Sequence, residues 1–309
     1  MSMPAVSYAD SRLLSWQRAC DYFELTKPKI AALELVTVTV AAVVASNGAL
    51  DLWRVFHALV GTALVAASAS AFNQLIERET DALMQRTADR PLPAGRLSLR
   101  EVLAFGSITA LAGVLYLALL VNPLTAALGA LTWVLYVCIY TPLKSRSHAN
   151  TMVGAVAGAM PILMGWAAVG RSLDLSAATL FLIVFLWQFP HFMAIAWIYR
   201  RDYAAAGLQM LPVVDPSGLR AGGQAVLAAL ALLPVSLLPS MVSFAGPAYF
   251  ALALLLGVGQ IACAAIFLFR LSDASARVLL RASLVYLPGL LSWLMLGPLS
   301  SFDSFANRF

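Results

Sequence analysis

Residues 55–76 read VFHALVGTALVAASASAFNQLI, a run of 22 residues without an Asp, Glu, Lys or Arg. At 1.5 Å per residue, a helix of this length measures about 33 Å, which is enough to cross the ~30 Å hydrocarbon core of a bilayer. The stretch therefore predicts a membrane-spanning helix. Two amide side chains, Asn73 and Gln74, lie close to its end.

Eight further apolar windows have the length of a spanning helix. They lie at 30–47, 101–121, 124–141, 150–169, 176–199, 222–243, 246–269 and 278–300. The 309-residue chain is 61% hydrophobic and 11% charged, with a mean hydropathy of +0.84. Globular domains carry about 25% charged residues, so this composition excludes a soluble enzyme, and it also excludes disorder. We predict an all-α, polytopic membrane protein with nine transmembrane helices in a single domain, 1–309, that includes a short N-terminal arm, 1–29.

The basic residues indicate the orientation of this domain. When the N-terminus is placed in the cytoplasm, the cytoplasmic side holds all of the 20 Lys and Arg residues except Arg54, Arg171 and Arg308. Short cytoplasmic loops are typically rich in Lys and Arg, so this orientation is strongly favoured. It places the C-terminus on the opposite side. Most of the acidic residues share the cytoplasmic side, and we therefore expect the chemistry at that face.

An acidic stripe follows the quoted run, where the sequence continues ERETDALMQRTADRPLPAGR. Asn73, Glu77 and Asp81 are four residues apart, so a continuing helix places them on one face. Two carboxylates and an amide oxygen suit Mg²⁺, which keeps several waters and shares its coordination shell with phosphates. The alternative is a solvated helix end with carboxylates paired to Arg78 or Arg86. Asn73 weighs against it, because an amide at the hydrocarbon boundary needs a partner.

Basic residues lie close to this stripe in the sequence. Arg86, Arg90 and Arg96 come directly after it, and Lys144 follows the fourth window beside Tyr140. Arginine binds phosphate oxygens through two parallel hydrogen bonds, and lysine binds them as a point charge. Acids that hold a metal beside bases that hold anions indicate a diphosphate chelated through Mg²⁺. For Lys144, an ordinary anchor of a cytoplasmic loop explains the position equally well.

Three segments together carry a family resemblance: NQLIERETDALMQRTADRPLPAGR (73–96), YTPLKSRSHANTMVGAVAGAMPILMGW (140–166) and WQFPHFMAIAWIYRRDYAAAGLQMLPVV (187–214). They resemble the intramembrane aromatic prenyltransferase superfamily, and within it the protohaem IX farnesyltransferase (haem O synthase) branch. The resemblance implies transfer of the farnesyl group of farnesyl diphosphate to a vinyl group of haem b, with water adding, to give haem O and diphosphate. It implies Mg²⁺ as the cofactor, haem b as a substrate and a bacterial plasma (inner) membrane location.

The resemblance also implies roles for individual residues. The implied catalytic set is Asn73, Glu77, Asp81, Arg86, Arg90 and Lys144. The implied metal ligands are Asn73, Glu77, Asp81 and, as what remains of a second acidic motif after the sixth helix, Asp202. The implied diphosphate contacts are Arg86, Arg90, Lys144, Arg146, Tyr140 and Arg201.

An allylic cation must meet the vinyl group before it meets water, so we expect an apolar and aromatic central cavity among kinked helices. His191 lies in the sixth window beside Gln188 and Pro190. Ionisable residues within a membrane are functional candidates, and imidazole is a common axial haem ligand. We predict that His191 binds haem. The alternatives are a contact to diphosphate, or a hydrogen bond to the carbonyl that Pro190 frees.

Three other functions remain alternatives. A transporter also has polar residues in kinked helices, but its charges are expected near the bilayer midplane. A structural subunit of a respiratory complex would explain the hydrophobicity but not the acidic stripe. A polyprenyltransferase acting on 4-hydroxybenzoate or another quinone precursor would use the same first motif. The expected partners are farnesyl diphosphate, haem b, the lipid bilayer and a haem A synthase, with no nucleic acid.

Overall fold

The structure, a computed structural model, describes the backbone of residues 8–241 and 245–306 and the side chains of residues 16–241 and 245–296. Within these ranges the chain forms helices and connections without any strand, and nine of the helices are long and apolar enough to cross a membrane. The predicted all-α fold with nine transmembrane helices is confirmed. The single domain 1–309 stays a prediction.

The helices follow one another with short connections. In chain order they are α1 (Tyr8–Leu25), α2 (Pro28–Ser46), α3 (Leu52–Ile76), α4 (Arg78–Ala82), α5 (Leu99–Leu120), α6 (Pro123–Trp133), a π-helical segment (Val134–Tyr140), α7 (Thr141–Leu143), α8 (Asn150–Ala168), α9 (Leu175–Ile198), α10 (Arg200–Ala205), α11 (Leu211–Val214), α12 (Leu219–Met241), α13 (Pro247–Arg270) and α14 (Asp273–Ala306). The fourth span runs from α6 through the π-helical segment to α7. Among the described helices, α1, α4, α10 and α11 are not candidate spans.

The helix ends agree with the apolar windows to within a few residues, except at the last span. Helix α14 begins at Asp273 instead of 278, because Ser272 caps it: the Ser275 amide donates to Ser272 Oγ at 3.2 Å, and the Ser272 amide donates to Ser275 Oγ at 3.2 Å. Such a cap satisfies backbone donors that a hydropathy window does not register. Residues 242 and 243 of the seventh window, and Arg308, lie outside the described residues.

Glycines allow neighbouring helices to approach closely. A Cβ at Gly113 of α5 would lie 2.9 Å from the backbone nitrogen of Val65 in α3. On α8, a Cβ at Gly154 would lie 2.6 Å from Cε2 of Tyr140. Small residues at such crossings are typical of membrane helices, whose association depends on close van der Waals packing. Gly154 thereby makes room for a tyrosine ring at the end of the fourth span.

A π-helical segment lies within the fourth span, directly before the short α7. The Thr141 amide and its hydroxyl Oγ1 both point back to the carbonyl of Tyr136, five residues earlier, and the hydroxyl donates at 2.8 Å. The rings of Tyr136 and Tyr140 lie 5.2 Å apart within this segment. Single π-helical turns are frequent at functional sites because they redirect side chains. The sequence alone did not predict this segment.

Ion pairs join the N-terminal helix α1 to the loop between α4 and α5. Arg96 Nη1 donates to Asp21, and Arg96 Nη2 donates both to Glu24 Oε2 at 2.8 Å and to the Asp89 carbonyl at 2.6 Å. Arg18 pairs with Glu101 at the start of α5. Arg96 thus binds carboxylates of α1, whereas the sequence suggested that it holds anionic oxygens of a ligand.

A comparison of two glycine substitutions tests the packing of α3 against α5. We expect Gly113→Ala to lower the unfolding free energy by about 1–3 kcal/mol, since the new methyl group would overlap the Val65 backbone. Gly259→Ala on α13 is the matched control. Beyond its own helix turn, no atom of the described residues lies within 4 Å of a Cβ placed there, so the gain in helix propensity leaves the protein equally or more stable. Thermal unfolding in detergent measures both, and equal midpoints would contradict the close contact.

Candidate active site

A cavity of about 230 Å³ opens at one end of the helix bundle, where α2 begins and α3, the fourth span and α9 end. Its polar lining residues are Lys27, Asn73, Glu77, Asp81, Arg86, Arg90, Tyr136, Tyr140, Lys144, Asn150, Thr151 and Tyr203. Its apolar lining residues are Ile30, Met84, Phe192, Ile195, Ala196, Leu208 and Met210. The cavity therefore joins a charged wall to an apolar one.

The acidic stripe lies on one wall of this cavity, although the helix that carries it is interrupted. Helix α3 ends at Ile76 and α4 starts at Arg78, yet the Glu77 amide still donates to the Asn73 carbonyl at 2.9 Å and the Asp81 amide to the Glu77 carbonyl at 2.7 Å. These bonds between residues four apart preserve the helical register. Asn73, Glu77 and Asp81 are all buried.

Asp81 fixes the loop that follows the stripe. Its Oδ2 accepts a hydrogen bond from Arg90 at 2.6 Å, and its carbonyl accepts one from Thr87 Oγ1 at 2.8 Å. The side chain is fully buried, and its other oxygen, Oδ1, has no hydrogen-bond partner among the described residues. A buried carboxylate oxygen without a partner is costly, so this atom is open to a cationic ligand.

Glu77 forms an ion pair across the cavity with Lys144, whose Nζ lies 2.7 Å from Glu77 Oε1. Burial opposes charge on both groups, but their mutual attraction outweighs it: the pKa of Lys144 is raised and the pKa of Glu77 is lowered. Both groups are therefore charged at neutral pH. The alternative considered for the stripe, pairing with Arg78 or Arg86, does not hold for Glu77, and Arg78 instead lies 3.2 Å from Glu79.

The loop between α10 and α11 contacts the backbone of Lys144. The Gln209 amide donates to the Lys144 carbonyl at 2.7 Å, and Asn150 Nδ2 donates to the Gln209 carbonyl at 3.2 Å. The Lys144 ammonium also lies 4.7 Å from the centre of the Tyr140 ring, within cation–π distance. Lys144 is thus positioned through its backbone by Gln209 and through its ammonium by Glu77 and Tyr140.

Lys27 is a charged residue of the cavity lining that the sequence analysis did not single out, and the polar lining residues Tyr136, Asn150, Thr151 and Tyr203 were not singled out either. Its Nζ donates to Asn73 Oδ1, while Asn73 Nδ2 donates to Thr141 Oγ1 at 3.1 Å. Burial, followed by repulsion from Arg90 and Lys144, lowers the pKa of Lys27 to about 7. Its backbone is left-handed, with φ 52°, directly before Pro28 at the first turn of α2. The only signal in the sequence was a lysine immediately before a proline that begins a spanning helix.

Arg86 is an exposed cation at the mouth of the cavity. Its guanidinium carbon lies 5.2 Å from the centre of the Tyr199 ring and 5.9 Å from that of Tyr203. It forms no ion pair with any residue that the structure describes. Because guanidinium groups present several donors in one plane, Arg86 is available to an anion that enters.

Four residues singled out from the sequence lie away from the cavity lining: Arg146, Arg201, Asp202 and His191. Arg146 and Arg201 are exposed, and the neighbouring Arg200 pairs with Asp273 at 2.7 Å. His191 lies deeper, where its Nδ1 is 2.9 Å from Ser283 Oγ and its ring stacks on Trp187 at 4.8 Å. The roles given to these four residues stay predictions.

Residues 35–287 match the UbiA prenyltransferase family. The chain belongs to that family. As a member of the UbiA prenyltransferase family it is a prenyltransferase, which confirms the enzyme class predicted from the sequence and argues against the transporter alternative. The match includes every lining residue described above except Lys27 and Ile30.

Curated relatives of this UbiA family chain cover most of its length. A protein from Solibacter usitatus (strain Ellin6076), named Protoheme IX farnesyltransferase, is 45% identical over 277 residues, or 87% of this chain and 95% of the relative. A protein of the same name from Koribacter versatilis (strain Ellin345) is 44% identical over 286 residues, or 89% of this chain and 92% of the relative. The predicted resemblance is confirmed.

Solved structures share the UbiA fold at low sequence identity. A digeranylgeranylglyceryl phosphate synthase structure has a TM-score of 0.76 at 18% identity, covering 92% of this chain and 99% of that one. A UbiA homolog from Archaeoglobus fulgidus, bound to GPP and Mg²⁺, has a TM-score of 0.65 at 15% identity, covering 90% and 99%. These likenesses establish the fold of the chain.

The buried ion pair of this UbiA family chain can be tested by removing its partners one at a time. We expect Lys144→Met to destabilise the protein by about 3 kcal/mol, because the buried Glu77 carboxylate loses its counter-charge, and Glu77→Gln added to it to restore most of the loss. Arg78→Met, which breaks an exposed pair, is the control and costs at most about 1 kcal/mol. Thermal unfolding in detergent measures all three variants. A double variant as unstable as Lys144→Met would be inconsistent with this pairing.

Proposed function

We propose that the chain is a protohaem IX farnesyltransferase, which joins the farnesyl group of farnesyl diphosphate to a vinyl group of haem b, with water adding, to give haem O and diphosphate. The observation that carries this proposal is one cavity with two carboxylates and an amide beside Arg86, Arg90 and Lys144. That set suits a metal-bound diphosphate. The names of the relatives at 44–45% identity supply the acceptor, haem b.

Asn73, Glu77 and Asp81 are the proposed ligands of Mg²⁺. Their two carboxylates and one amide fit an ion that takes few protein oxygens and completes its shell with water and phosphate. Asp81 Oδ1, which has no hydrogen-bond partner in the described part of the chain, offers a ready ligand. When bound, Mg²⁺ neutralises charge on the diphosphate and so favours ionisation of the allylic C–O bond. Asp202 remains a proposed further ligand, although it does not line the cavity.

The basic side chains would bind the diphosphate and stabilise it as a leaving group. Arg86 is free of ion pairs among the described residues, and Arg90 and Lys144 stand against the acidic stripe. Preorganised cations of this kind stabilise charge as it develops on the departing oxygens. Tyr140 lies beside Lys144 as a hydroxyl donor. Arg146 and Arg201 would join this set only if their exposed side chains turn toward the mouth of the cavity.

The apolar wall would hold the farnesyl chain and keep water away from the allylic cation. Phe192, Ile195 and Met210 form part of this wall, and Phe192 lies next to His191, with ring centres 5.8 Å apart. Aromatic faces stabilise a cation without reacting with it. The farnesyl chain and haem both partition into lipid. We propose a bacterial inner membrane location, a cytoplasmic active site and a haem A synthase that receives the product.

The proposed function is tested by incubating the purified protein with haem b, farnesyl diphosphate and Mg²⁺ and detecting haem O by mass. Omission of Mg²⁺ with chelator present should abolish the product. A parallel reaction with 4-hydroxybenzoate in place of haem b tests the quinone-type alternative. Farnesylation of the phenolic acid without haem O would replace the proposed acceptor.

Asp81 provides a sharp test of the metal site. We expect Asp81→Asn to reduce haem O formation by at least about a hundredfold, because a carboxylate ligand is lost, while the protein remains folded. Asp89→Asn is the matched control in the same loop, since Asp89 is exposed and does not line the cavity. Initial rates at saturating Mg²⁺ and the thermal midpoint are measured together. A rate near that of the unsubstituted protein would argue against a metal role for Asp81.

His191 is the proposed haem contact. We expect His191→Ala to shift the Soret band of protein-bound haem b and to weaken haem binding, because an imidazole ligand is removed. His148→Ala serves as the control, since His148 is exposed and away from the cavity. Absorbance titration with haem b gives both the band position and the affinity. An unchanged Soret band in His191→Ala would leave His191 as a partner of Ser283 alone.

A further inference from the structure

Each member of the acidic stripe has its own basic partner. Lys27 donates to Asn73 Oδ1, Lys144 lies 2.7 Å from Glu77 Oε1, and Arg90 donates to Asp81 Oδ2 at 2.6 Å. The three bases come from three separate parts of the chain: the start of α2, the connection after the fourth span and the loop after α4. Each of the three stripe residues thus contacts a different basic side chain.

These pairs conflict with metal binding at the same oxygens. A divalent cation on Asn73 Oδ1 or Glu77 Oε1 would lie within a few ångströms of an ammonium group, where like charges repel strongly in a partly desolvated cavity. The bases must therefore move when a metal binds. An entering diphosphate offers them new acceptors within the same cavity, because its oxygens would share the metal.

We propose that Lys27, together with Lys144 and Arg90, is an exchangeable counter-ion of the acidic stripe. When the metal binds the stripe oxygens, these basic side chains leave the stripe and bind the diphosphate oxygens instead. Metal and diphosphate then bind as a coupled pair, and each binds weakly without the other. This inference rests on the proposed diphosphate site and adds Lys27 to the residues that contact substrate.

Lys27 is the base best suited to exchange first. Its acceptor, Asn73, is neutral, so its hydrogen bond is weaker than the ion pairs of Lys144 and Arg90. Asn73 offers a single side-chain oxygen, whereas Asp81 has a second oxygen with no hydrogen-bond partner among the described residues. The lysine side chain is long and has rotatable donors, which allows the ammonium to turn without movement of the backbone.

The test measures binding of each component alone to the full-length protein in detergent. Mn²⁺, as a spectroscopic substitute for Mg²⁺, is titrated by electron paramagnetic resonance, and inorganic pyrophosphate is titrated by calorimetry in the presence of chelator. We expect Lys27→Met to bind Mn²⁺ alone about tenfold more tightly and pyrophosphate alone several-fold more weakly than the unsubstituted chain, a change within the usual range of coupling between sites.

Two further variants distinguish the proposed exchange from a general effect of net charge on binding. Lys29→Met removes the same charge from an exposed position two residues away, outside the cavity lining, and should change neither affinity. Lys27→Arg keeps the charge and should retain weak binding of Mn²⁺ alone. If thermal unfolding shows that Lys27→Met is misfolded, Lys27→Gln takes its place.

Unchanged or weaker binding of Mn²⁺ alone in the Lys27 variants would overturn the proposal and leave Lys27 a structural partner of Asn73. An equal gain in Lys29→Met would overturn it as well, since the effect would then be one of net charge. Neither titration contains haem. If no haem O forms, haem b is not the acceptor, but the proposed exchange of Lys27 is unaffected. If the titrations contradict the exchange, the assignment of haem b as acceptor is unaffected.

Discussion

A charged side chain at the edge of a hydrocarbon layer is stable only when another charge or a dipole compensates it. Glu77 and Asp81 are buried at such an edge, and the ion pairs with Lys144 and Arg90 compensate them. Each partner lies on a different segment, so the chain must bring these segments together before the acids can be buried. The organisation of the cavity follows from this requirement.

Two irregular stretches of helix backbone place the residues of these ion pairs. The interrupted helix after Ile76 keeps the hydrogen-bond register of the stripe, and the π-helical segment places Tyr136 and Tyr140 in the cavity beside Lys144. The loop that carries Arg86 and Arg90 is held at its far end by Arg96, which binds two carboxylates of α1. Helix α1, which is not a candidate span, thus holds the loop of the candidate active site through Arg96.

Local patterns in the sequence predicted the parts of this arrangement that depend on neighbouring residues. Apolar runs gave the nine spans, and the spacing of Asn73, Glu77 and Asp81 predicted their common face. Long-range pairing was not predictable in this way: nothing near Glu77 in the chain indicates Lys144 as its partner, and Lys27 lies 46 residues before Asn73. The π-helical segment was also missed, and its Tyr140 ring packs against Gly154 of another helix, a long-range contact that no local pattern indicates.

The cavity lining ends at Met210, and the described parts of α12, α13 and α14 contribute no residue to it. Ribosomes synthesise the chain from its N-terminus, so Glu77 and Asp81, which follow α3, reach the membrane before Lys144 has been synthesised. Until then Glu77 must remain hydrated at the surface or bind a proton. Once the sixth span and the chain as far as Met210 have been synthesised, every lining residue is present, and the last three spans follow. The residues that line the site are therefore synthesised before the three spans that complete the helix bundle.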